Sequence, residues 1–273
     1  MMTNSIFKNS QSLWVRFDDY EWRKTASGEL FLLPSDDAEF ELYDPLDDVD
    51  AFVLDTASAA VKCFRMRNNR RVVMQTIKEY VGKYGLLGIM NALPSTADYM
   101  KYDKVFLPKN LLFRDEVIPI SEYIDKFYPF EKPVFKVENN RPSYPPGMAM
   151  PTLKQYGEQY EWLEKVFKDW GLVIICTSTY AQDMWEIDKE ELEFLRAGLA
   201  AFDGNAPSYH IYLEEGPKLV WDFHSLLQAA QMMFSMMLTD PHRSLRICDR
   251  CYKPFIAKSM NAKCCSKECR MKK

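Results

Sequence analysis

The sequence predicts an α+β protein, with a helix-rich body, a small sheet near the N-terminus and a compact cysteine-centred module at the C-terminus. Three patterns carry this reading. Short runs in the first fifty residues alternate apolar with polar side chains, apolar residues recur every three or four positions through much of the rest, and five of the seven cysteines crowd into the last 26 of 273 residues.

The strands come first. Leu13 to Phe17, Glu29 to Leu33 and Glu39 to Tyr43 read as short strands, and the alternation of Phe40 and Leu42 with Glu39 and Glu41 predicts a half-exposed sheet. From Asp36 to Asp50 there are eight acids and no base, which reads as a solvated face with acidic turns or as a surface that meets the basic tail or a partner. A helix is predicted from Arg71 to Tyr84, where Val73, Ile77, Tyr80 or Val81, and Tyr84 recur at helical spacing before Gly85 supplies the stop. Tyr84-Gly85-Leu86-Leu87-Gly88 reads as that cap with its apolar contact, since it has neither the Lys-Ser/Thr ending of a phosphate loop nor GxGxxG spacing.

Four prolines, Gly147 and two asparagines between Asn139 and Pro151 mark a linker or long loop. The expected division is an acidic α+β region over 1–138, a helical region over 152–240 and the cysteine module over 241–273. Beyond the linker, Leu153, Tyr156, Tyr160, Leu163, Phe167 and Trp170 predict an amphipathic helix ending at Gly171. A second helix opens at Asp188 with Glu191 in capping-box position and runs through Leu192, Leu195 and Leu199. A third is expected from about Pro217 to Leu238. Its Met233, Phe234, Met236 and Met237 leave it apolar on most of its circumference, which requires burial in the core or a homodimer contact.

Composition narrows the setting. With 47% hydrophobic and 14% aromatic residues the chain can bury a substantial core, so it is not a disordered protein. The N-terminus lacks the charged and apolar regions of a secretory signal. Leu226 to Leu238 contains two glutamines and is shorter than the ~20 residues a membrane span needs. A cytoplasmic protein without a membrane partner is expected. In that reducing setting Cys63 and Cys176 read as buried apolar residues, and the clustered cysteines as metal thiolates rather than disulfides. Charge is divided unevenly: Arg243 to Lys273 holds ten Lys or Arg against two acids, a balance of +8, leaving 25 bases against 37 acids, or −12, for the rest.

The tail reads Cys248-x2-Cys251, thirteen residues, then Cys265-x3-Cys269. The first pair aims two sulfurs at one point from a turn, and the second puts two on one face of a helix, one turn apart. Cys248, Cys251, Cys265 and Cys269 are therefore the expected ligands of a structural Zn2+, with a closed shell that leaves no open position for catalysis. Cys264 is expected to face the small core of the module and Phe255 to pack beneath the metal.

On these residues, with Lys253, Phe255, Ser266 and Arg270, the module resembles a treble-clef zinc finger of knuckle, hairpin and short helix. The closing Cys-Ser-x2-Cys is similar to that of MYND-type fingers. A helix followed by a terminal finger resembles the layout of bacterial CGNR-type zinc-finger proteins, some of which are regarded as transcriptional regulators. The Gly-Asn-Arg ending of that group and the second zinc module of MYND are missing, and Cys264 stands where an aromatic is usual. More loosely, Tyr43-Asp44-Pro45-Leu46, Tyr84-Gly85-Leu86-Leu87-Gly88 and Trp221-x4-Leu226-Leu227 resemble an uncharacterised bacterial family, which implies no activity.

Two functional readings stand side by side, with a third behind them. In the first, Arg243, Arg246, Arg250, Lys253, Lys258, Lys263, Lys267, Arg270, Lys272 and Lys273 surround a rigid scaffold and contact DNA or RNA phosphates, as in transcription regulation. In the second, the finger docks a protein partner or the chain's own acidic N-terminal region. The third, a nuclease-like enzyme, finds no catalytic signature. His210, His224 and His242 form no metal-binding or HNH-like cluster, and Asp222 and His224, set on a helix, would face different ways.

Overall fold

The computed structural model describes residues 13–88, 92–93, 104–107, 116–133, 136–138, 141–143, 149–183, 188–190, 192–193, 196, 208–213, 216–223, 225–240, 244–257, 259 and 261–271. Four short strands open it, β1 (Leu13–Phe17), β2 (Tyr20–Lys24), β3 (Leu30–Pro34) and β4 (Phe40–Tyr43), followed by helices α1 (Val49–Arg65) and α2 (Arg70–Tyr84). Next come β5 (Ala92–Leu93), the hairpin β6 (Lys104–Leu107) and β7 (Glu116–Pro119), α3 (Ile120–Phe127), the hairpin β8 (Lys136–Glu138) and β9 (Arg141–Ser143), α4 (Ala149–Lys154), β10 (Glu158–Gln159) and the long α5 (Tyr160–Asp183). The hairpin β11 (Ser208–Leu213) and β12 (Pro217–Asp222), α6 (Leu226–Thr239), the hairpin β13 (Leu245–Ile247) and β14 (Pro254–Ile256), and α7 (Lys267–Met271) follow. The fold is α+β, as expected.

Two three-stranded antiparallel sheets, ordered β4-β1-β5 and β10-β3-β2, flank the helices. The three expected strands are present, and β2 adds a fourth that pairs with β3 from Tyr20 opposite Pro34 to Lys24 opposite Leu30. The alternation in β4 has an unexpected sense. At the edge of its sheet, β4 turns Tyr43 inward, where the hydroxyl donates to the Tyr84 carbonyl at 2.5 Å, and leaves Phe40 and Leu42 exposed.

Helix α1, absent from the expected elements, lies at the centre. Asp48 caps it by accepting the Ala51 amide at 3.0 Å, Asp50 sits in the first turn, and Lys62 and Arg65 sit in the last, each matching the helix dipole. Its buried face, Val49, Phe52, Val53, Thr56, Ala57, Ala60 and Val61, follows the three-and-four spacing of a helix. Helix α2 starts and stops near the expected ends. Asn69 accepts the Val72 amide at 3.2 Å, and Gly85, at φ 77°, donates its amide to Val81. That positive φ is a conformation glycine adopts without steric cost.

Helix α5 does not stop at Gly171. It begins at Tyr160, after a turn that separates it from Leu153 and Tyr156, and runs to Asp183. Gly171 is where α5 and α1 touch backbone to side chain. A methyl group there would lie 2.6 Å from the Phe64 Cβ and 2.9 Å from the Ala60 carbonyl carbon, and closer still to the Ala60 oxygen. Small residues on α1 and the missing side chain on α5 let the two axes approach, and α1 packs on α5 more extensively than on any other helix.

The third expected helix also changes. Pro217 to Asp222 is strand β12, paired antiparallel with β11, and the helix begins only at Leu226, where Ser225 accepts the Gln228 amide at 3.0 Å. Leu219 and Trp221 follow strand alternation, and the serine cap defines the change of period. Within α6, Met233, Phe234 and Met237 are buried in the chain's own core, with Met232 and Met236 packed at its margin. One core cluster unites residues from Trp14 to Leu245, drawing on both sides of the proline-rich segment. Of the helix expected at Asp188, the Leu192 amide donates to the Asp188 carbonyl at 3.0 Å, and Leu195 and Leu199 lie outside the described residues.

Candidate metal centre

The centre is assembled by a hairpin and one helical turn. Strand β13 delivers Cys248, the chain turns through Asp249, Arg250 and Cys251, and the Tyr252 amide closes the turn on the Cys248 carbonyl at 2.9 Å. The Cys248 amide then donates to the Lys253 carbonyl at 3.0 Å, starting the pairing that sets Ile247 opposite Pro254. The second half is tied back by the Asp249 amide, which donates to Lys263 at 3.1 Å. The Ser266 hydroxyl accepts the Cys269 amide at 3.1 Å and so caps α7, which carries Cys269, while Cys265 lies just ahead of the cap rather than on the helix.

The four cysteines singled out by spacing are brought together. The Sγ atoms of Cys248, Cys251, Cys265 and Cys269 all lie within 4.8 Å of one another, with Cys251 to Cys265 and Cys265 to Cys269 each at 3.5 Å. These four thiols can hold a metal ion. Cys248 is fully buried and Cys265 is the most open of the four.

Their ionisation is uneven in a way that favours a cation. Burial opposes charge on Cys248, but the amides of Cys251, Cys265 and Arg250 point at its sulfur and lower its pKa to about 6. Cys265 is pushed up to about 12 by desolvation, by hydrogen bonds with Cys269, Cys251 and Cys248, and by the neighbouring charge. One thiolate thus forms readily while another sulfur retains its proton, and a bound divalent ion supplies the charge that lets all four ionise.

Cys264 lies half-buried beside the cluster rather than in a core, its thiol raised by desolvation and by the adjacent Cys248. Phe255 is half-buried on β14. Of the expected phosphate-contacting cations, Arg250, Lys253, Lys263, Lys267 and Arg270 are exposed. Arg246 is different: at 5% exposure it is buried, its guanidinium donating to the Ser244 hydroxyl at 3.1 Å and to the Ala262 carbonyl at 3.4 Å. It ties the module together from inside and takes no place on the basic surface. Arg243, Lys258, Lys272 and Lys273 lie outside the described residues.

The module is seated on the body. Strand β13 packs against α5 and α6, and β14 against α1. The Ile247 amide donates to the Ser178 hydroxyl at 2.7 Å, and the Arg65 guanidinium stands 4.2 Å over the Tyr252 ring.

Sequence reasoning missed a second chemically distinctive group. Glu158 is completely buried, accepts the Leu87 amide at 3.0 Å and the Gly88 amide, and takes a hydrogen bond from the Tyr156 hydroxyl at 3.1 Å. Burial raises its pKa to about 7, although those three hydrogen bonds hold it down. The carboxyl anchors the end of α2, and the Leu87 carbonyl in turn accepts the Leu227 amide at 3.2 Å, linking the turn to α6. No sequence motif marks Glu158, because its amide partners lie some 70 residues away.

A pKa higher in the folded than in the unfolded chain means the folded state binds the extra proton. The stability from protonated Glu158 is therefore fully present below about pH 4.5 and is lost as pH rises to about 7, a change of about 3 kcal/mol. Urea titrations of the wild type and Glu158→Gln across pH 4.5–8 should differ by an amount that changes over this window and then levels off. A pH-independent difference would refute the assignment.

Asp222 ends β12 rather than lying on a helix, and His224 and His242 lie outside the described residues. Among the described residues, no helix is long and apolar enough to cross a membrane. No family model, curated protein or solved structure matches the chain.

Proposed function

We propose that the four cysteines hold a structural zinc ion and that the protein is a cytoplasmic nucleic-acid-binding regulator that meets DNA or RNA through its zinc-held C-terminal module. The observation carrying this reading is the placement of Arg250, Lys253, Lys263, Lys267 and Arg270 as exposed cations around one closed four-sulfur cluster. For zinc, a tetrahedron with Zn–S of about 2.3 Å has edges of about 3.8 Å. The 3.5 Å sulfur separations need only a small expansion to meet it. The order of knuckle, hairpin and capped helix supports the resemblance to a treble clef. On that scaffold the cations form a surface suited to phosphates, which favours backbone contact over base readout.

Binding of the zinc-loaded full chain to labelled duplex DNA and to RNA over a salt series tests the reading. If all five exposed cations meet phosphates, the slope of log K against log salt for duplex DNA should be about −4.5, and Lys267→Glu with Arg270→Glu should reduce it by about 2. Absence of binding at low salt would overturn the reading. A protein-interaction role would then take precedence, favoured by the exposed Tyr209, Ile211 and Leu213 that alternate along β11, with Ile211 72% exposed.

A further inference from the structure

A cavity of about 580 Å³ lies where the cysteine knuckle meets α1 and the start of α2. Its volume falls within the roughly 300–1,000 Å³ common for sites that take small molecules. Val61, Met66 and Val72 line it with apolar surface, while Lys62, Arg65 and Lys253 contribute cations and Tyr252 an aromatic ring. Lys62 also reaches Glu79 at 3.8 Å across an exposed surface, a contact too solvated to remove the lysine from use.

Tyr252 is the residue that needs explaining. Its φ is 58°, the left-handed region, and it is the one non-glycine residue with positive φ among those described. Glycine would occupy that position without strain, whereas a residue with a Cβ costs of order 1 kcal/mol or more there. The side chain bearing this cost is not a core residue: the tyrosine is 51% exposed, and Arg65 covers one face of its ring. A strained backbone that presents an open aromatic ring at the mouth of a basic cavity is better suited to holding a ligand than to holding the fold.

We infer that this cavity binds one nucleotide of a single-stranded nucleic acid, with the base stacked on the Tyr252 face opposite Arg65 and the phosphate met by Lys62 and Lys253. This inference rests on the nucleic-acid reading and deepens it by naming the strand form and the residues that hold it. A flat aromatic ring beside a planar guanidinium offers the surfaces on which unpaired bases stack, and stacking tolerates any base. An acidic peptide would use the cations but would leave the ring without a flat partner. Lys253 belongs both to the cavity and to the exposed cations of the module.

The test compares Tyr252→Gly and Ser58→Glu with the wild type, all zinc-loaded and full length. The probes are a fluorescein-labelled ten-nucleotide oligo-dT and a duplex of the same length. Tyr252→Gly relieves the backbone and should keep or raise the melting temperature while weakening oligo-dT binding about tenfold or more, with little change on duplex. Ser58→Glu, which places a negative charge at the exposed cavity wall, should weaken the same probe selectively. If wild type and variants bind oligo-dT equally, the cavity inference fails while the nucleic-acid reading stands. If the wild type binds neither probe at low salt, both fail. Binding of a labelled acidic peptide that Tyr252→Gly and Ser58→Glu both weaken, with no binding of oligo-dT, would assign the cavity to protein instead.

Discussion

Removing the metal from the full chain with a chelator, or replacing Cys251 with serine, is expected to unfold residues 245–271 while α1, α2, α5 and α6 remain folded. The module has two three-residue strands and a five-residue helix. Among its described residues, only Leu245 joins the main core cluster, with Ile247 and Ile256 at the margin. So little apolar burial does not offset the entropy of ordering the segment, and metal coordination in such modules supplies about 10 kcal/mol or more. The body keeps its own source of stability in the packing of Trp14, Phe52, Ile77, Leu163 and Phe234. Hydrogen exchange distinguishes the parts: amides of β13 and β14 should lose protection on chelation, and amides in the middle of α1 and α5 should keep it. Cooperative loss of helical circular dichroism across the whole chain would contradict this division.

Gly171→Ala is expected to destabilise the body by about 3 kcal/mol and to lower its melting temperature by roughly 6–12 °C. Alanine is the better helix former by about 1 kcal/mol, so intrinsic propensity predicts the opposite sign. The clash decides it, because the added carbon meets the Ala60 carbonyl group, whose atoms are fixed in α1 and cannot swing away as a long side chain would. Gly82→Ala is the control. Gly82 also lies in a helix, but a Cβ there meets nothing within 4 Å, and its substitution should stabilise by about 0.5–1 kcal/mol. Equal melting temperatures for the two variants would show that α1 and α5 are not held at this distance by Gly171.

The four-cysteine cluster was legible in the sequence because it is set by local spacing: a turn delivers Cys248 and Cys251, and the capped start of α7 delivers Cys265 and Cys269. The strands β1, β3 and β4 and helix α2 were legible for the same reason, through alternation and a glycine stop. Helix α1 was hidden by its composition, since its inner face relies on Ala57 and Ala60 and its start lies inside an acid-rich stretch, although the Asp48 cap was there to be read. Gly171 was read as a terminator because glycine has two uses in helices, ending them or admitting a neighbour, and only the presence of α1 selects between them. Arg246 counted as a surface cation until the fold enclosed it between Ser244 and Ala262. Glu158 had no local signature, since its burial and its amide partners arise only when the end of α2 is brought against β10.

The seam formed by Ile247 with Ser178 and by β14 packed on α1 ties metal affinity to the helices. Free energies around a closed cycle must sum to zero: if the metal holds the hairpin against α1 and α5, those helices hold the metal by the same amount. An excised 245–273 peptide should therefore bind its ion more weakly than the full chain does. Loosening the far ends of α1 or α5 should have the same effect without altering any cysteine.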